Sequence, residues 1–191
     1  MDDKKYNLLD EPWICVMKEN GEVKELSLMD VLLHAHQYRR LAGELPTQDV
    51  AVLRLLLAVL QTVVYRYDTD GNEDELVETE DAYERWKEIW NEGKLPEKPI
   101  REYLTKWKER FYLYDSDRPF YQVPKAAIGT ECKAAKLNGE ISESSNKLRL
   151  FSNRAGKEKE FLSNSEAARW LLYLNGYDDT SAKPKEKGLP S

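Results

Sequence analysis

The chain has 191 residues, with 29 Lys and Arg against 35 Asp and Glu, and a formal net charge of −6. This length suffices for one domain whose core folds without disulfides, and two Cys residues exclude a disulfide scaffold. No charged-then-apolar leader opens the chain, so we expect a reducing, cytoplasmic setting. The acidic segment 66–92 has a net charge of −8, whereas segment 125–160 has a net charge of +3. The acidic average therefore excludes a general nucleic-acid coat but leaves room for a local basic site.

The first predicted elements are a β-hairpin and a helix. Two apolar runs, 13–17 and 22–26, flank Asn20-Gly21, a pair that supplies the positive φ angles of tight hairpin turns. Ser27 with Asp30 resembles a capping box, and the apolar spacing after it predicts a helix that reaches Tyr38.

A second helix is predicted after Pro46, with Thr47 as its N-cap. Its apolar residues recur at spacings of three and four and surround it almost completely, which is typical of a helix at the centre of a core. They are Val50, Leu53, Leu56, Leu57, Leu60 and Val64. A membrane span is the alternative, but the run is too short, and Arg54 and Gln61 interrupt it.

An acidic helix follows, for which Asn72 with Glu75 is the predicted cap. We expect its side chains Tyr83, Trp86 and Trp90 to form an apolar stripe facing the core.

The predicted elements after it are a helix over about 100–111, with Trp107 inward, an edge strand over 119–124 and a strand over 148–151. Ser163 with Glu166 predicts the cap of a last helix that ends at Gly176. Together these elements predict an α+β fold dominated by helices, with an N-terminal β-hairpin, several packed helices and short strands.

Catalytic and metal-binding patterns are weak throughout the chain. His34 and His36 are two residues apart on a predicted helix, so they point to different faces and cannot share one ion. Asp115 and Asp117 favour a turn with capping carboxylates over an acid–base pair. The sequence therefore predicts no cofactor, no metal site and no enzyme; an unrelated hydrolase is the weakest alternative.

One unpatterned segment has the composition of a nucleic-acid contact. Phe151 and Asn153 can stack on or hydrogen-bond to an exposed base, while Arg154 and Lys157 can meet phosphates. The alternative from the residues alone is a solvated loop anchored by a buried Phe151.

Several dispersed motifs, in order, resemble the CasA family, the large subunit of the type I-E CRISPR surveillance complex Cascade. The matching letters are NLL at 7–9, EPWI at 11–14, FYL at 111–113, RPFYQ at 118–122 and EAAR at 166–169. The resemblance implies a non-catalytic subunit of a CRISPR antiviral complex. Its implied partners are the crRNA-bound backbone subunits, the crRNA 5′ handle, target double-stranded DNA and a helicase-nuclease recruited by the full-length subunit, with no membrane.

The resemblance also implies where nucleic acid binds. Phe151, Ser152 and Asn153 fall on the family's loop that approaches the crRNA handle and the DNA beside the protospacer-adjacent motif. A family glycine-rich loop that probes the minor groove corresponds to 178–183. There the glycines are absent and two acids appear, although Thr180, Ser181 and Lys183 can still make polar contacts.

Family members are more than twice this length, so the resemblance implies an N-terminal fragment. Residues 1–177 would be the N-terminal part of the large-subunit domain, and 178–191 a polar, linker-like tail without the C-terminal helical bundle. The alternative function is a purely structural docking module that makes no nucleic-acid contact and uses the acidic segment 66–92 as its interaction surface.

Overall fold

The computed structural model describes residues 4–125, 133–138, 154 and 159–177. These residues form helices and two small antiparallel sheets, which confirms the predicted helix-dominated α+β fold. The strands are β1 (Lys5–Asn7), β2 (Ile14–Met17), β3 (Val23–Leu26), β4 (Arg40–Leu41) and β5 (Tyr112–Tyr114). The helices are α1 (Leu28–Leu33), α2 (Pro46–Arg66), α3 (Thr79–Glu92), α4 (Glu97–Lys106), α5 (Ala134–Leu137) and α6 (Asn164–Tyr177).

The predicted N-terminal hairpin is confirmed. Strand β2 pairs antiparallel with β3, with Ile14 opposite Leu26, and β4 adds to the other edge of β2. In this turn Gly21 has a positive φ, at +83°, and Asn20 does not. Asn20 instead shapes the turn through its side chain, whose Oδ1 accepts the Glu22 N–H at 3.0 Å.

The Ser27 cap is also confirmed, because its Oγ accepts the Asp30 N–H at 3.1 Å. Helix α1 nevertheless ends at Leu33, and a 3₁₀ turn over Ala35–Gln37 replaces the predicted continuation to Tyr38.

Helix α2 begins at Pro46, with Leu45 at the N-cap, so the prediction of Thr47 as the cap is wrong. Proline suits the first helical position because the N–H it lacks would have no helical partner there. The inner face of α2 fills the core with Ala51, Val52, Leu55, Leu56, Val59, Leu60, Val63 and Val64. The outer face, which includes Val50, Leu53 and Leu57, is exposed rather than buried as predicted.

By length and composition alone, α2 is apolar enough to cross a membrane, and it is the one such helix among the described residues. Half of its most apolar window is buried inside the fold. The buried half is the inner face that packs against the other elements, so α2 is the core helix of this fold.

Trp13 and helix α6 both pack against this core. Trp13 is fully buried, and its indole Nε1 donates to the Leu8 carbonyl at 2.9 Å. Helix α6 packs against α2, and its residues Ala168 and Leu172 belong to the same hydrophobic cluster. Packing on α2 fixes the orientation of α6, which carries several residues that anchor the candidate site described below.

The predicted cap of the acidic helix is wrong. Helix α3 begins after Glu78, whose N–H is bound by the Asp81 carboxylate at 3.2 Å. Asn72 instead closes the preceding loop, because its N–H donates to Asp68 Oδ1 at 2.7 Å.

The predicted inner stripe of α3 is wrong as well. Arg85 and Ile89 face the core, whereas Tyr83, Trp86 and Trp90 are 64%, 40% and 83% exposed. Successive residues of an α-helix differ by about 100° in direction, so burying Arg85 and Ile89 turns Trp86 and Trp90 away from the core.

Two predictions between α4 and α6 are corrected. Trp107 follows the end of α4 and is 37% exposed, not inward. The edge strand lies at Tyr112–Tyr114, paired with β1, and not at 119–124. Tyr121 has a φ of +55°, which breaks any extended run there. The predicted strand 148–151 lies outside the described residues.

Candidate nucleic-acid interface

One of the predicted site residues, Arg154, lies in the described part of the chain. The others fall outside it, so their nucleic-acid contacts stay predictions: Phe151, Ser152, Asn153, Lys157, Thr180, Ser181 and Lys183. The geometry around Arg154 therefore carries the structural argument about this site.

The Arg154 guanidinium is held by two carboxylates from distant parts of the sequence. Its Nη2 lies 2.8 Å from Glu44 Oε2 and 2.8 Å from Glu166 Oε1. The Arg154 side chain is only 10% exposed, and each carboxylate side chain is 28% exposed. In this structure Arg154 therefore ties residue 154 to the loop before α2 and to the first turn of α6.

Glu166 also caps the N-terminus of α6. Its Oε2 accepts the Ser163 N–H at 2.7 Å, and Ser163 Oγ accepts the Glu166 N–H at 3.2 Å, which confirms the predicted capping box. Burial favours the neutral acid, but the Ser163 hydrogen bonds and the Arg154 charge outweigh it and lower the pKa of Glu166. Burial likewise opposes the charge of Arg154, yet Glu44 and Glu166 raise its pKa. Arg154 and Glu166 thus form a charged pair at neutral pH.

The loop that carries Glu44 is pinned to the first turn of α2. Gly43 N–H donates to Asp49 Oδ1 at 2.8 Å, and Glu44 N–H donates to Gln48 Oε1 at 3.2 Å. A Cβ on Gly43 would lie 2.7 Å from Asp49 Oδ1, so a larger residue there would displace the carboxylate that holds this loop. Glu44 is therefore presented to Arg154 from a rigid support.

Trp170 of α6 connects this network to a row of aromatic side chains on the same helix. Trp170 Nε1 donates to Glu44 Oε1 at 3.1 Å, so Glu44 binds both Arg154 and α6. The ring of Tyr173 lies 5.2 Å from that of Trp170 and 5.4 Å from that of Tyr177. Tyr177 is 45% exposed, and segment 178–191 begins immediately after it.

A second buried arginine fixes α6 to the N-terminal hairpin. Arg169 Nη1 donates to the Trp13 carbonyl at 2.7 Å and to Glu25 Oε1 at 2.6 Å. Ser165 Oγ donates to the same Glu25 oxygen at 3.2 Å. Both charged residues of the EAAR letters, Glu166 and Arg169, are thus anchors of α6.

Sequence reasoning identified Glu166 only as a cap and missed Glu44 and Arg169. Glu44 lies 110 residues from Arg154 along the chain. A single sequence carries no signal for such a pair, because a lone glutamate in a polar loop has the composition of ordinary solvated surface.

The described residues contain no cluster of three or more His, Cys, Asp or Glu that could hold a metal ion. His34 and His36 are both exposed. Asp115 Oδ1 accepts the N–H of Asp117 at 2.8 Å and of Arg118 at 3.2 Å, which confirms the turn interpretation.

The described residues next to the two candidate segments lie at opposite ends of α6. Arg154 is bound at the first turn of α6, and residue 178 follows its last turn. Fourteen residues of α-helix span about 20 Å, so the two attachment points are about that far apart. Arg154 and Tyr177, the last described residue of the chain, therefore lie at opposite ends of α6.

Comparison with known proteins identifies relatives along nearly the whole chain. The family model of CRISPR-associated protein Cse1 matches residues 7–188. CRISPR-associated protein CasA/Cse1 of Thermus thermophilus is 34% identical over 169 residues, which cover 88% of this chain and 31% of that protein. The chain thus spans about a third of the length of this relative.

Solved structures show the same fold. The crystal structure of Thermobifida fusca Cse1 is 33% identical and superposes with a TM-score of 0.72, over 93% of this chain and 31% of that one. A chain of a CRISPR RNA-guided surveillance complex, pre-nicking, is 20% identical with a TM-score of 0.69, over 90% and 34%. That second likeness concerns the fold alone. The match of the family model over residues 7–188, with the 34% identical relative, establishes that this chain belongs to the Cse1 (CasA) family of CRISPR-associated proteins.

Proposed function

We propose that this chain is the nucleic-acid-contacting, non-catalytic N-terminal part of the large subunit of a type I-E Cascade surveillance complex in the cytoplasm. Segment 151–157 contacts the crRNA 5′ handle region and the DNA beside the protospacer-adjacent motif, with Phe151 and Asn153 as principal contacts and Ser152 and Lys157 beside them. Segment 178–183 contacts the protospacer-adjacent motif of target double-stranded DNA through Thr180, Ser181 and Lys183.

Family membership supports the assignment to such a complex, since proteins named Cse1 and CasA are the relatives of this chain. A structure described as a CRISPR RNA-guided surveillance complex contains a chain of the same fold. The helicase-nuclease and the crRNA-bound backbone subunits are the remaining proposed partners, and the helicase-nuclease is recruited through the full-length subunit. Residues 1–177 form the body of this part and 178–191 a linker.

The observation that carries the proposal is the anchoring of Arg154. Its guanidinium is committed to Glu44 and Glu166, so its contribution is to hold the residue that follows Asn153 against α6. Anchoring one end of a recognition loop lowers the entropy lost when that loop binds. Just before Arg154 in the sequence, Phe151 can stack on an unpaired base and Asn153 can hydrogen-bond to one.

The separation of about 20 Å along α6 supports two distinct contacts. Minor-groove recognition is degenerate between A·T and T·A pairs, so the polar side chains Thr180 and Ser181 are suited to a site that tolerates several motifs. Without glycines there, side chains rather than a closely approaching backbone make the contact.

The test uses the full-length subunit assembled with crRNA and its backbone subunits. Phe151→Ala with Asn153→Ala is expected to weaken binding of motif-bearing duplex DNA at least about fivefold, because one stacked base contributes about 1–3 kcal/mol. We expect the double variant still to assemble into the complex, as monitored by size-exclusion chromatography. Phe161→Ala is the matched control, since Phe161 is 68% exposed and lies outside the candidate segments.

Unchanged DNA affinity in the double variant would contradict the contact. Loss of assembly with retained DNA recognition would favour the docking alternative. Turnover of any nucleic acid by the purified subunit, abolished by EDTA, would contradict the non-catalytic assignment.

A further inference from the structure

Arg54 is a charged residue on the exposed side of the core helix α2. Its neighbours Leu55 and Leu56 are buried, whereas the Arg54 side chain is exposed. The Arg54 guanidinium reaches across to α6, because its Nη1 lies 3.9 Å from the position that a Cβ on Gly176 would occupy. Arg54 therefore lies beside the last turn of α6, at a glycine that precedes Asp178 by two residues in the sequence.

The end of α6 attracts this cation but does not bind it. The C-terminal carbonyls of a helix form the negative end of its dipole, which favours a nearby cation, and α6 ends at Tyr177. In the part of the chain that the structure describes, the Arg54 side chain donates no hydrogen bond and pairs with no carboxylate. All five of its N–H donors are therefore available to a ligand.

The two arginines that fasten α6 to the rest of the fold are in the opposite situation. Arg154 pairs with Glu44, and Arg169 pairs with Glu25, each at less than 3 Å. Their side chains are 10% and 6% exposed, so both guanidinium groups are used up by the fold. The charge of Arg54 stabilises no such contact within the described residues.

No acid of α2 or α6 lies near Arg54. Asp49 is the one acid in α2, and its carboxylate accepts the Gly43 N–H in the first turn. Glu166 is the one acid in α6, and it lies at the opposite end of that helix from Gly176, bound to Ser163. The two helices that meet at Arg54 therefore present a positive charge there, which attracts an anion.

We propose that Arg54 contacts a backbone phosphate of the target duplex next to the motif read by segment 178–183. This inference rests on the proposed function, in which Thr180, Ser181 and Lys183 contact that motif. The planar guanidinium matches the geometry of a phosphate, which it can bind through two parallel N–H donors. Phosphate contacts fix the register of a protein on DNA, whereas contacts to base edges read the sequence. Arg54, on a helix that packs against α6, positions the duplex for that segment.

The test uses the full-length subunit assembled with crRNA and its backbone subunits, and it measures the binding of motif-bearing duplex DNA at several salt concentrations. For Arg54→Gln we expect the slope of log K against log salt to decrease by about 0.9, the value for one phosphate contact. At about 0.15 M salt this exponent corresponds to an affinity about fivefold lower. The loss is expected to be equal for duplexes with different motifs, because a phosphate carries no sequence information.

Two variants are matched controls. Arg66→Gln removes the same charge from an exposed position at the other end of α2, and we expect it to leave the slope and the affinity unchanged. Arg54→Lys is expected to keep the slope, because lysine binds phosphate as a point charge. We also expect Arg54→Gln to have the free energy of unfolding of the parent, because no described residue bonds to the Arg54 side chain.

Asp178 and Asp179 are the carboxylates that could compete for Arg54 from the adjoining sequence. Arg54→Gln is therefore also measured in an Asp178→Asn, Asp179→Asn background, where we expect the same decrease in slope. A decrease that disappears in this background would show that Arg54 pairs with these carboxylates, and it would overturn the proposal.

Three further results would also overturn it. The first is a slope and an affinity of Arg54→Gln that equal those of the parent, and the second is an equal loss in Arg66→Gln. The third is a failure of Arg54→Gln to assemble with crRNA and the backbone subunits, which would assign Arg54 to an interface within the complex.

The triple variant Thr180→Ala, Ser181→Ala, Lys183→Ala separates this inference from the proposed function. If the triple variant weakens DNA binding and Arg54→Gln does not, the phosphate contact is wrong and the proposed function stands. If the triple variant has no effect while Arg54→Gln lowers the slope, the assignment of these three residues is wrong and the phosphate contact stands.

Discussion

Arg154 and Glu44 are 110 residues apart in the sequence, and Arg154 Nη2 lies 2.8 Å from Glu44 Oε2. Because Glu166 lies at the same distance from the same nitrogen, one guanidinium connects the loop before α2, the start of α6 and residue 154. The pair thus fixes residue 154, which follows Phe151, Ser152 and Asn153 in the sequence, and this ties the stability of this part of the fold to the proposed recognition.

Replacing Arg154 by methionine is expected to lower the free energy of unfolding by about 2–3 kcal/mol at neutral pH. Two carboxylates would then face each other without the cation that compensates them, and removing one member of a largely buried charge network costs about this much. Urea unfolding of the purified chain measures the change.

The matched control is Arg118→Met. Arg118 pairs with Asp117 at 3.1 Å, but its side chain is 62% exposed, so we expect a loss under about 0.5 kcal/mol. A loss equally small in Arg154→Met would show that the network contributes little to stability.

Acid stability depends on the lowered pKa of Glu166. Although burial alone raises it, hydrogen bonds from Ser163 and the charge of Arg154 bring it below the ordinary 4.5. The unfolded chain therefore binds this proton first as the pH falls, and the stabilisation by ionised Glu166 is complete above pH 4.5 and is lost below it. Glu166→Gln is expected to be less stable than the parent at pH 7, with a gap that narrows from about pH 5 downward.

Unfolding curves measured between pH 3 and pH 7 test this window. Glu102→Gln, at an exposed position, is the control and is expected to follow the parent at every pH. A gap between Glu166→Gln and the parent that stays constant down to pH 3 would contradict the assignment.

The Cys15 thiol is expected to react slowly while the chain is folded. Burial raises the pKa of Cys15 from 9.0 to about 11, with the Glu25 carboxylate adding to the effect. A rise of this size reduces the reactive thiolate about 100-fold at pH 8. In a Cys132→Ser background, the reaction with a thiol reagent is expected to be about that much slower than in denaturant. Equal native and denatured rates would contradict the burial of this thiol.

Local signals predicted one turn and two of the four helix caps correctly. The hairpin around Gly21 and the caps at Ser27 and Ser163 were predictable because each depends on residues at most three or four positions apart. The edge strand was assigned to 119–124 instead of Tyr112–Tyr114, because its pairing with β1 bridges more than 100 residues.

The orientation of α3 was missed for a definite physical reason. The aromatic stripe of Tyr83, Trp86 and Trp90 has helical spacing, and hydrophobicity alone assigns it to the core. The buried face instead contains Arg85, whose hydrogen bonds to the Val64 and Asp74 carbonyls make its burial favourable. Those acceptors come from two other elements, so no periodicity within α3 reveals them. The candidate site shows the same limit. The sequence indicates the nucleic-acid-binding composition of 151–157, but it does not reveal that Glu44 and Glu166 bind Arg154.

Arg85 hydrogen-bonds α3 to the Val64 and Asp74 carbonyls, so we expect α3 to become less stable when the guanidinium is removed. Arg85→Met leaves the Val64 and Asp74 carbonyls without their donor, so we expect a loss of about 2 kcal/mol in stability. Amide hydrogen exchange in Thr79–Glu92 is expected to accelerate more than in Glu97–Lys106, because Arg85 fastens only the former helix to α2. Arg101→Met is the control, since Arg101 pairs with Glu97 at 2.7 Å at 53% exposure, and such a pair contributes about 0.3–0.5 kcal/mol. Uniform acceleration across both helices would mean that Arg85 stabilises the whole fold and does not set the orientation of α3.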